Sequence, residues 1–382
     1  MRFRHERIDS NPPSGRLGSC STTDLTGNGR PDVVVGAMGD PHEVSFLGKE
    51  FPLRARTGIG ELIKRMETNL FWYENPGWER HRMSDAPPLD VSAAFGDITG
   101  NGRPDFLAGQ GIGHNDLYWF EQPDDPRNPW TRRLITDAFE KYHDVAVGDL
   151  DNDGESEVVA LSQESETVFY YDIPADPRQA PWSGENRHVI AEDVYVEGLQ
   201  IVDIDDDGQQ ELIAGPNVFR QAGDSAQSWT REEIAPEWEW TRLAVADLDG
   251  DGELEVALAE GDRPYADGHP GRVGWFDPPD WTPHVLDDDL FCPHSLQVAD
   301  FTGDGLPDIY VAEMGLGEND DPLHLVFKNV GGGEFEREVL FSGIPTHEAK
   351  AVDLTGDGRP DIVGKSYTPT HHVDVWYNES DT

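Results

Sequence analysis

Short apolar runs alternate with acidic, glycine-containing stretches along the whole chain. One of these stretches, Asp149–Glu157, reads DLDNDGESE and lies between the runs VAVG and VVAL. Stretches of this kind begin at Asp24, Asp97, Asp149, Asp203, Asp247, Asp300 and Asp353, at intervals of 44 to 73 residues. A period of about 50 residues is typical of a β-propeller or a solenoid.

Each period contains four predicted strands. One apolar run precedes the acidic stretch, as in LAVA, and another follows it, as in VALAE. An aromatic segment such as LYWFEQ comes third, and a segment that often opens with Trp, such as WTRRLI, comes fourth. Four short strands in each repeat are typical of a propeller blade. The chain is therefore predicted to be all-β, as a single seven-bladed propeller over residues 1–382.

The two ends of the sequence predict that the ring closes. The seventh repeat stops after VDVWYN without a fourth strand, whereas the chain begins with FRHERI, which matches the missing strand. Residues 1–9 are therefore predicted to form the outer strand of the last blade, which removes an open sheet edge. The first repeat is longer than the others because it carries an insertion at 40–69.

The acidic stretches follow the pattern D-x-[DT]-x-[DN]-G-x-x-[DE], which indicates bound Ca²⁺. Oxygens at positions 1, 3, 5 and 9, with a backbone carbonyl at position 7, suit a hard cation of this size, and glycine at position 6 permits the sharp turn. An EF-hand would need flanking helices and Glu at position 12, where the third copy has Ala160. A plain acidic turn is the alternative, which seven copies in register disfavour.

The predicted calcium ligands occupy the same four positions of every loop. In chain order they are Asp24, Thr26, Asn28 and Asp32; Asp97, Thr99, Asn101 and Asp105; Asp149, Asp151, Asp153 and Glu157; Asp203, Asp205, Asp207 and Glu211; Asp247, Asp249, Asp251 and Glu255; Asp300, Thr302, Asp304 and Asp308; and Asp353, Thr355, Asp357 and Asp361. Copies three to five have carboxylates at all four positions. Thr and Asn at positions 3 and 5 predict weaker binding in copies one and two.

The loops and their flanking strands resemble FG-GAP/VCBS repeats, which occur in integrin α-chain propellers and in many microbial proteins. The resemblance covers essentially the whole chain. It implies that the calcium loops lie on one face, between the first and second strands of each blade. The starts of the first strands and the loops after the second strands then form the opposite mouth. The resemblance does not imply one function, because this fold carries both adhesion modules and enzymes.

Histidine and glutamate recur where the innermost strands are predicted to start, six residues before each loop aspartate. These positions hold Gly18, Val91, His143, Glu197, Thr241, His294 and His347. In a closed ring, His143, Glu197, His294 and His347 point near one axis and suit a Zn²⁺, Mn²⁺ or Mg²⁺ site. The alternative is a set of polar rim residues that bond to neighbouring blades.

Further polar residues lie in the loops after the second strands and in the insertion. The loops offer His114 in blade two, His269 in blade five, and Lys365, Tyr367 and His372 in blade seven. Singly, each is more often a solvated loop residue; together they predict a mouth that binds sugars or acids. The insertion adds a basic cluster that would bind a carboxylate or sulfate of a substrate, or else form a lid helix paired with acidic neighbours; its residues are Arg54, Arg56, Lys64 and Arg65.

The stretches HSLQVADFTGDGLPDIYVAEMG and VGWFDPPDWTPHVL are similar to the propeller of sugar lyases and dehydratases of the aldos-2-ulose dehydratase type. That resemblance covers the propeller only. It implies metal-assisted β-elimination on a carbohydrate, with His143, His294 and His347 as ligands and Glu197 as ligand or base. Proton transfer would fall to Tyr367, Lys365, His372 or His114. The rival interpretations are a non-catalytic module that binds a glycan or protein, and a protein–protein scaffold.

The charge of the chain argues against nucleic acid and anionic membranes as partners. The net charge is −46, and such a surface repels nucleic acid and anionic membranes. Scarce lysine and abundant carboxylates resemble proteins of salt-in halophiles. The sequence has no apolar run of about 18 residues and no visible secretory signal, so we expect a cytoplasmic location without membrane insertion, or an extracellular one if a signal has been removed. Two cysteines make no disulfide framework, and the oligomeric state is left open.

Self-repulsion on this scale predicts that the fold depends on salt. At low ionic strength the carboxylates are poorly screened and oppose the compact state. We therefore expect the ellipticity measured by circular dichroism to fall on dialysis into dilute buffer. Retention of the full signal there, without added salt or divalent ions, would contradict this prediction.

Overall fold

The computed structural model describes residues 1–39, 43–46, 49–52, 68–222 and 228–380. Within this part of the chain, seven antiparallel sheets of four strands each are present, with one additional two-stranded hairpin. The prediction of an all-β, seven-bladed propeller is confirmed.

The strands follow the chain from the centre of each blade to its edge, after β1 (Phe3–Asp9). Blade one contains β2 (Leu17–Thr23), β3 (Asp32–Ala37), β6 (Leu70–Glu74) and β7 (Glu79–Arg82), with the hairpin β4 (Glu43–Phe46) and β5 (Lys49–Pro52) inserted. Blade two contains β8 (Ala93–Gly96), β9 (Asp105–Gly109), β10 (Leu117–Glu121) and β11 (Thr131–Thr136). Blade three contains β12 (Tyr142–Gly148), β13 (Glu157–Ser162), β14 (Thr167–Asp172) and β15 (Arg187–Glu192), preceded by a 3₁₀ turn at Gly184–Asn186.

The remaining blades repeat this order. Blade four contains β16 (Leu199–Val202), β17 (Glu211–Ala214), β18 (Asn217–Gln221) and β19 (Trp229–Glu233). Blade five contains β20 (Thr241–Ala246), β21 (Glu255–Glu260), β22 (Gly271–Asp277) and β23 (Thr282–Leu290). Blade six contains β24 (Ser295–Ala299), β25 (Asp308–Ala312), β26 (Leu323–Asn329) and β27 (Phe335–Ser342). Blade seven contains β28 (Glu348–Val352), β29 (Asp361–Lys365) and β30 (Val373–Asn378).

Strand β1 completes blade seven and closes the ring. It pairs antiparallel with β30, so that Phe3 lies opposite Asn378 and Arg7 opposite Asp374. The innermost strand of every blade contacts the innermost strands of both neighbours, including β2 with β28. The predicted role of the N-terminal strand is therefore confirmed.

The core lies between the blades, which explains the continuous apolar runs in the sequence. In β3, Val34 packs towards blade two, whereas Val33 and Val35 pack towards blade seven. Successive side chains of a strand point to opposite faces, and a strand covered on both faces reads as an unbroken apolar run. Each of the seven core clusters joins two successive blades in this way.

Candidate functional site

The acidic loops connect the first and second strands of each blade, and therefore lie on one face of the ring. In the first loop, Asp24 accepts hydrogen bonds from the backbone N–H of Gly27 at 2.8 Å and of Gly29 at 2.7 Å. The glycine at position 6 has φ between 81° and 96° in all seven loops, a conformation that favours glycine. The predicted turn role of this glycine is confirmed.

The carboxylate at position 9 is buried and ties each loop to its blade. In loop one, Asp32 accepts from Leu25 N at 3.0 Å and from Asn75 N, beyond the third strand, at 2.8 Å. In loop three, Glu157 accepts from Leu150 N at 2.7 Å. Burial raises the pKa of Asp32 to about 6 and that of Glu157 to about 8. A cation beside such a carboxylate would offset this cost of ionisation.

Loops three to five bring acidic ligand atoms together. Groups of three with all ligand atoms within 4.8 Å of one another are Asp149, Asp151 and Glu157; Asp203, Asp205 and Glu211; and Asp247, Asp249 and Asp251. These are the three loops in which the sequence places carboxylates at all four positions. Atoms Oδ1 of Asp149 and Oδ1 of Asp151 are buried without a hydrogen-bond partner. The residues of these loops thus fit a divalent cation.

One acidic residue of the fifth loop region was missed by the sequence pattern. Asp277 ends β22 and joins Asp249 and Glu255 in a further group of three ligand atoms. An acidic residue also ends the equivalent strand β14, at Asp172. This recurring acidic end of the third strand is the signal that would have pointed to Asp277.

A cavity of about 510 Å³ opens on the opposite face, at the centre of the ring. Among the residues six places before the loop aspartates, Val91, His143, Glu197, His294 and His347 line it. The three histidines and Glu197 are all buried, with at most 4% exposure. The structure therefore brings all four residues of the predicted central site to one cavity.

His143 lies between two carboxylates. Its Nδ1 is 2.6 Å from Asp144 Oδ2 and its Nε2 is 3.6 Å from Glu197 Oε1. Burial alone would lower the pKa of His143, but the charges of Glu197 and Asp144 outweigh burial and raise it. Gln163 donates to Glu197 Oε1 at 2.6 Å, whereas Glu197 Oε2 is buried without a partner. These charges therefore favour the protonated form of His143, which lies next to a carboxylate with one oxygen that has no hydrogen-bond partner in the described part of the chain.

Three aromatic rings form a stack on the other side of the cavity. The rings of His294 and His347 lie 4.0 Å apart, and those of His347 and Tyr367 lie 4.5 Å apart. His294 donates from Nδ1 to the backbone oxygen of His347 at 2.8 Å, and its Nε2 accepts from Arg242 at 3.1 Å. Burial and the charge of Arg242 lower the pKa of His294 well below its usual value, so this ring is neutral.

Lys365 lies behind this ring stack and is fully buried. Its ammonium nitrogen contacts His347 Nδ1 and donates to the backbone oxygen of Leu17 at 2.9 Å. Burial lowers the pKa of Lys365 to about 7, and burial also lowers the pKa of His347. Lys365 can therefore give up a proton near neutral pH, and its nitrogen is in contact with His347.

The ligand atoms of the predicted central metal site lie in two pairs. His143 is next to Glu197, and His294 is stacked on His347. Within the described residues, no three of these four side chains offer ligand atoms that all lie within 4.8 Å of one another. A shared metal ion at this site stays a prediction.

The other predicted site residues are distributed as follows. His114 and Tyr367 line the central cavity. His372 lies away from it, where its Nδ1 contacts Asp374 of the outer part of blade seven. His269 is exposed and does not line the cavity. The basic cluster of the insertion, Arg54, Arg56, Lys64 and Arg65, lies outside the described residues.

Five further residues of this region were not singled out from the sequence. Arg16, Asp90, Lys141 and Asp262 line the cavity, and Arg242 lies just beneath it, 3.3 Å from Asp144. Asp144 and Arg242 follow His143 and Thr241 directly. Residues at the same register position in other blades, including Ser92, Ser295 and Glu348, line a second space of about 190 Å³ deeper in the channel. This register position was the available signal for Arg242.

Comparison with known proteins identifies the repeats. A family model described as FG-GAP-like repeat matches residues 97–160, 203–258 and 300–364. The chain carries FG-GAP-like repeats. The matches run from the acidic loops of blades two, four and six into the blades that follow, so each spans more than one acidic loop. No curated protein matches the sequence.

Solved structures share the architecture of these FG-GAP-like repeats at low identity. The V. cholerae biofilm matrix protein Bap1 superposes with a TM-score of 0.51 at 10% identity, over 99% of this chain and 92% of Bap1. An ancestral GH74 enzyme superposes with a TM-score of 0.59 at 11% identity, over 96% of this chain and 49% of that one. These likenesses concern the fold. Within the described residues, no helix is long and apolar enough to cross a membrane.

Proposed function

We propose that the protein acts on a carbohydrate in the central cavity, as a lyase or dehydratase. The supporting observation is that a carboxylate with an unpartnered oxygen, Glu197, and a histidine backed by a buried lysine, His347, line one cavity of about 510 Å³. Burial lowers the pKa of that lysine, Lys365, to about 7, so that it can give up a proton near neutral pH. Acid–base catalysis needs this combination, because one group must accept a proton while another donates one.

In such an elimination, a base removes the proton from the carbon next to a carbonyl group, and an acid protonates the leaving oxygen. We assign the base to Glu197, whose Oε2 is buried and unpartnered. His143 stabilises the enolate by its positive charge. On the other side of the cavity, His347 donates the proton on Nε2 to the leaving oxygen. Lys365 then donates a proton to Nδ1 of the same imidazole, which stays neutral. Tyr367 stacks on His347 and holds the ring in place.

Replacing Glu197 by Gln tests this assignment. The amide keeps the shape but cannot accept the proton, so kcat should fall by about 10²–10⁴-fold. The assay incubates the protein with ketosugars and with uronate polymers and records the ultraviolet absorbance of an unsaturated product. Glu336→Gln, at an exposed position of the outer strand β27, is the matched control and should leave turnover unchanged. Full activity of Glu197→Gln would remove Glu197 from the mechanism.

Calcium in the acidic loops is part of the proposal. The residues of loops three to five fit a divalent cation by their clustered carboxylates and unpartnered oxygens. All-oxygen ligands at the turn of a glycine-containing loop favour Ca²⁺ over transition metals. Because these loops lie on the face opposite the cavity, calcium would stabilise the ring without touching the substrate.

A metal ion in the central cavity is tested separately, by measuring the content of metals other than calcium in the purified protein. If a Zn²⁺, Mn²⁺ or Mg²⁺ ion assists the reaction, His143→Ala/His294→Ala should lose that ion and keep its circular dichroism spectrum. His188→Ala/His284→Ala, on outer strands, is the matched control. Unchanged metal content in the central double variant would show that the proposed ligand set is wrong.

A second candidate is binding of a glycan or protein without turnover. The observation that favours it is the apolar rim of the mouth, where Tyr265 is 68% and Ile112 is 67% exposed. Exposed aromatic and apolar side chains beside a cavity are typical of recognition surfaces. Saturable sugar binding without any unsaturated product would favour this candidate.

A further inference from the structure

Two cations of the central cavity, Arg16 and Lys141, have no carboxylate partner among the residues that the structure describes. Within the described part of the chain, neither Arg16 nor Lys141 lies within ion-pair distance of an acidic side chain, although the protein has 75 acidic residues and 29 basic ones. In such an acidic chain a free carboxylate would be easy to place next to a cation. The absence of one at these two residues indicates that the charge is available to a ligand.

Arg16 is held at the edge of the aromatic stack. Its guanidinium carbon lies 5.5 Å from the centre of the Tyr367 ring, and its buried Nε has no hydrogen-bond partner among the described residues. Its backbone oxygen accepts from Met38 N at 2.9 Å, which fixes the segment before β2. A guanidinium group over an aromatic ring keeps its N–H groups in its own plane, where they can bind a carboxylate bidentately.

Lys141 is held on the other side of the cavity in a strained conformation. Its φ is +58°, which is uncommon for a residue with a side chain. Its backbone N–H donates to His114 O at 3.1 Å, and its backbone oxygen accepts from Gln163 N at 2.9 Å. Its ammonium group contacts only the neutral oxygen Oε1 of Gln163 among the hydrogen-bond partners within the described residues.

Asp90, Glu197, Asp262 and Glu318 line the cavity and Asp144 lies beneath it, but within the described residues none of them is within ion-pair distance of Arg16 or Lys141. Asp144 and Glu197 flank His143, and Asp144 also pairs with Arg242. Asp262 lies 3.9 Å from His294 Nε2. Asp90 is 1% exposed and accepts from the backbone N–H of Val91 at 2.9 Å. Because surface charges beyond a Debye length of about 8 Å are screened at physiological salt, the acidic exterior does not cancel the local attraction of Arg16 and Lys141.

We propose that the ligand of the central cavity is an acidic sugar, whose carboxylate binds Arg16 while Lys141 binds a second anionic or hydroxyl oxygen across the cavity. This inference rests on the proposed function, because it names the class of carbohydrate that this function would use. Arg16 and Lys141 would bind the two ends of the sugar, so that its ring lies between Glu197 and His347.

The test compares D-glucuronate with D-glucose by isothermal titration calorimetry, with malonate as a carboxylate probe that is not a sugar. A charged hydrogen bond predicts that glucuronate binds at least about tenfold more tightly than glucose. Arg16→Gln should weaken glucuronate binding by about 10–100-fold and leave glucose binding unchanged. Lys141→Gln should weaken glucuronate binding as well. Arg132→Gln, on the outer strand β11, is the matched control and should bind like the parent.

The outcomes separate this inference from the proposed function. Equal binding of glucuronate and glucose by the parent protein would overturn the acidic-sugar inference and leave the carbohydrate function standing. Binding of malonate, abolished by Arg16→Gln, without binding of either sugar would support the anion site and overturn the carbohydrate function. Binding of none of the three would overturn both. Because the first comparison uses the unaltered protein, a variant that fails to fold does not affect it.

Discussion

Removal of calcium with a chelator is expected to lower the melting temperature of the protein by about 10 °C. A site filled at 100 times its dissociation constant contributes about 2.7 kcal/mol, so three such loops contribute about 8 kcal/mol. For a chain of this length, that is roughly a 10 °C shift. The loops in question are three to five, whose carboxylates cluster within 4.8 Å. Differential scanning calorimetry with and without EGTA measures the shift, and readdition of Ca²⁺ should reverse it.

Single substitutions locate the effect. Asp151→Asn removes one ligand of the third loop and should reduce the calcium content, measured by atomic absorption, by one ion per chain. Asp137→Asn, which lies outside the loops, should leave the content unchanged. The effect should not depend on the central cavity, because the loops lie on the opposite face. Equal melting temperatures in the presence and absence of chelator would show that calcium does not stabilise the fold.

The blades, their strands and the closure of the ring could be predicted from the sequence repeats. The position of each acidic loop defined the two strands around it. Successive side chains of a strand face the two neighbouring blades, and both faces are buried, which explains apolar runs such as Val33, Val34 and Val35. The match between FRHERI and the missing last strand predicted the pairing of β1 with β30. These features are local or repeated seven times, and repetition makes a weak signal dependable.

For the candidate site, the sequence predicted which residues meet at one cavity but not how their side chains are oriented. Counting back from the loops placed His143, Glu197, His294 and His347 at one cavity, but strand position does not determine how rings point. His294 and His347 stack because Arg242 and Lys365 bond to their nitrogens. Neither bond follows from the spacing of the repeats.

Residues outside the repeat register were missed for a physical reason. Asp90 lies in an irregular segment before β8, and Lys141 adopts a left-handed conformation immediately before β12. Their place in the cavity depends on how the loops pack, which a period of about 50 residues does not encode. His372 shows the converse case. It follows a mouth loop in sequence, but its side chain contacts Asp374 and it is not among the residues that line the cavity.

Replacing Lys365 by Met is expected to reduce turnover by about 10²–10⁴-fold without lowering stability at pH 7. Lys365 is fully buried, and burial lowers its pKa from 10.5 to about 7. Between these two pH values the unfolded chain binds a proton that the folded protein does not. Stability therefore falls as the pH decreases from 10.5 to 7 and recovers as the pH rises. Methionine has similar length and no charge to desolvate, so the variant should lack this dependence.

Urea unfolding at several pH values measures the effect. Near pH 7 the variant should be as stable as the parent or more stable by about 1–4 kcal/mol, and this advantage should shrink by about 1.4 kcal/mol per pH unit between pH 8 and 10. Turnover should fall by about 10²–10⁴-fold, because His347 loses the group that returns its proton. Lys328→Met, on β26 and remote from the cavity, should change neither quantity appreciably. A Lys365→Met variant that is less stable but fully active would show that this lysine serves the fold alone.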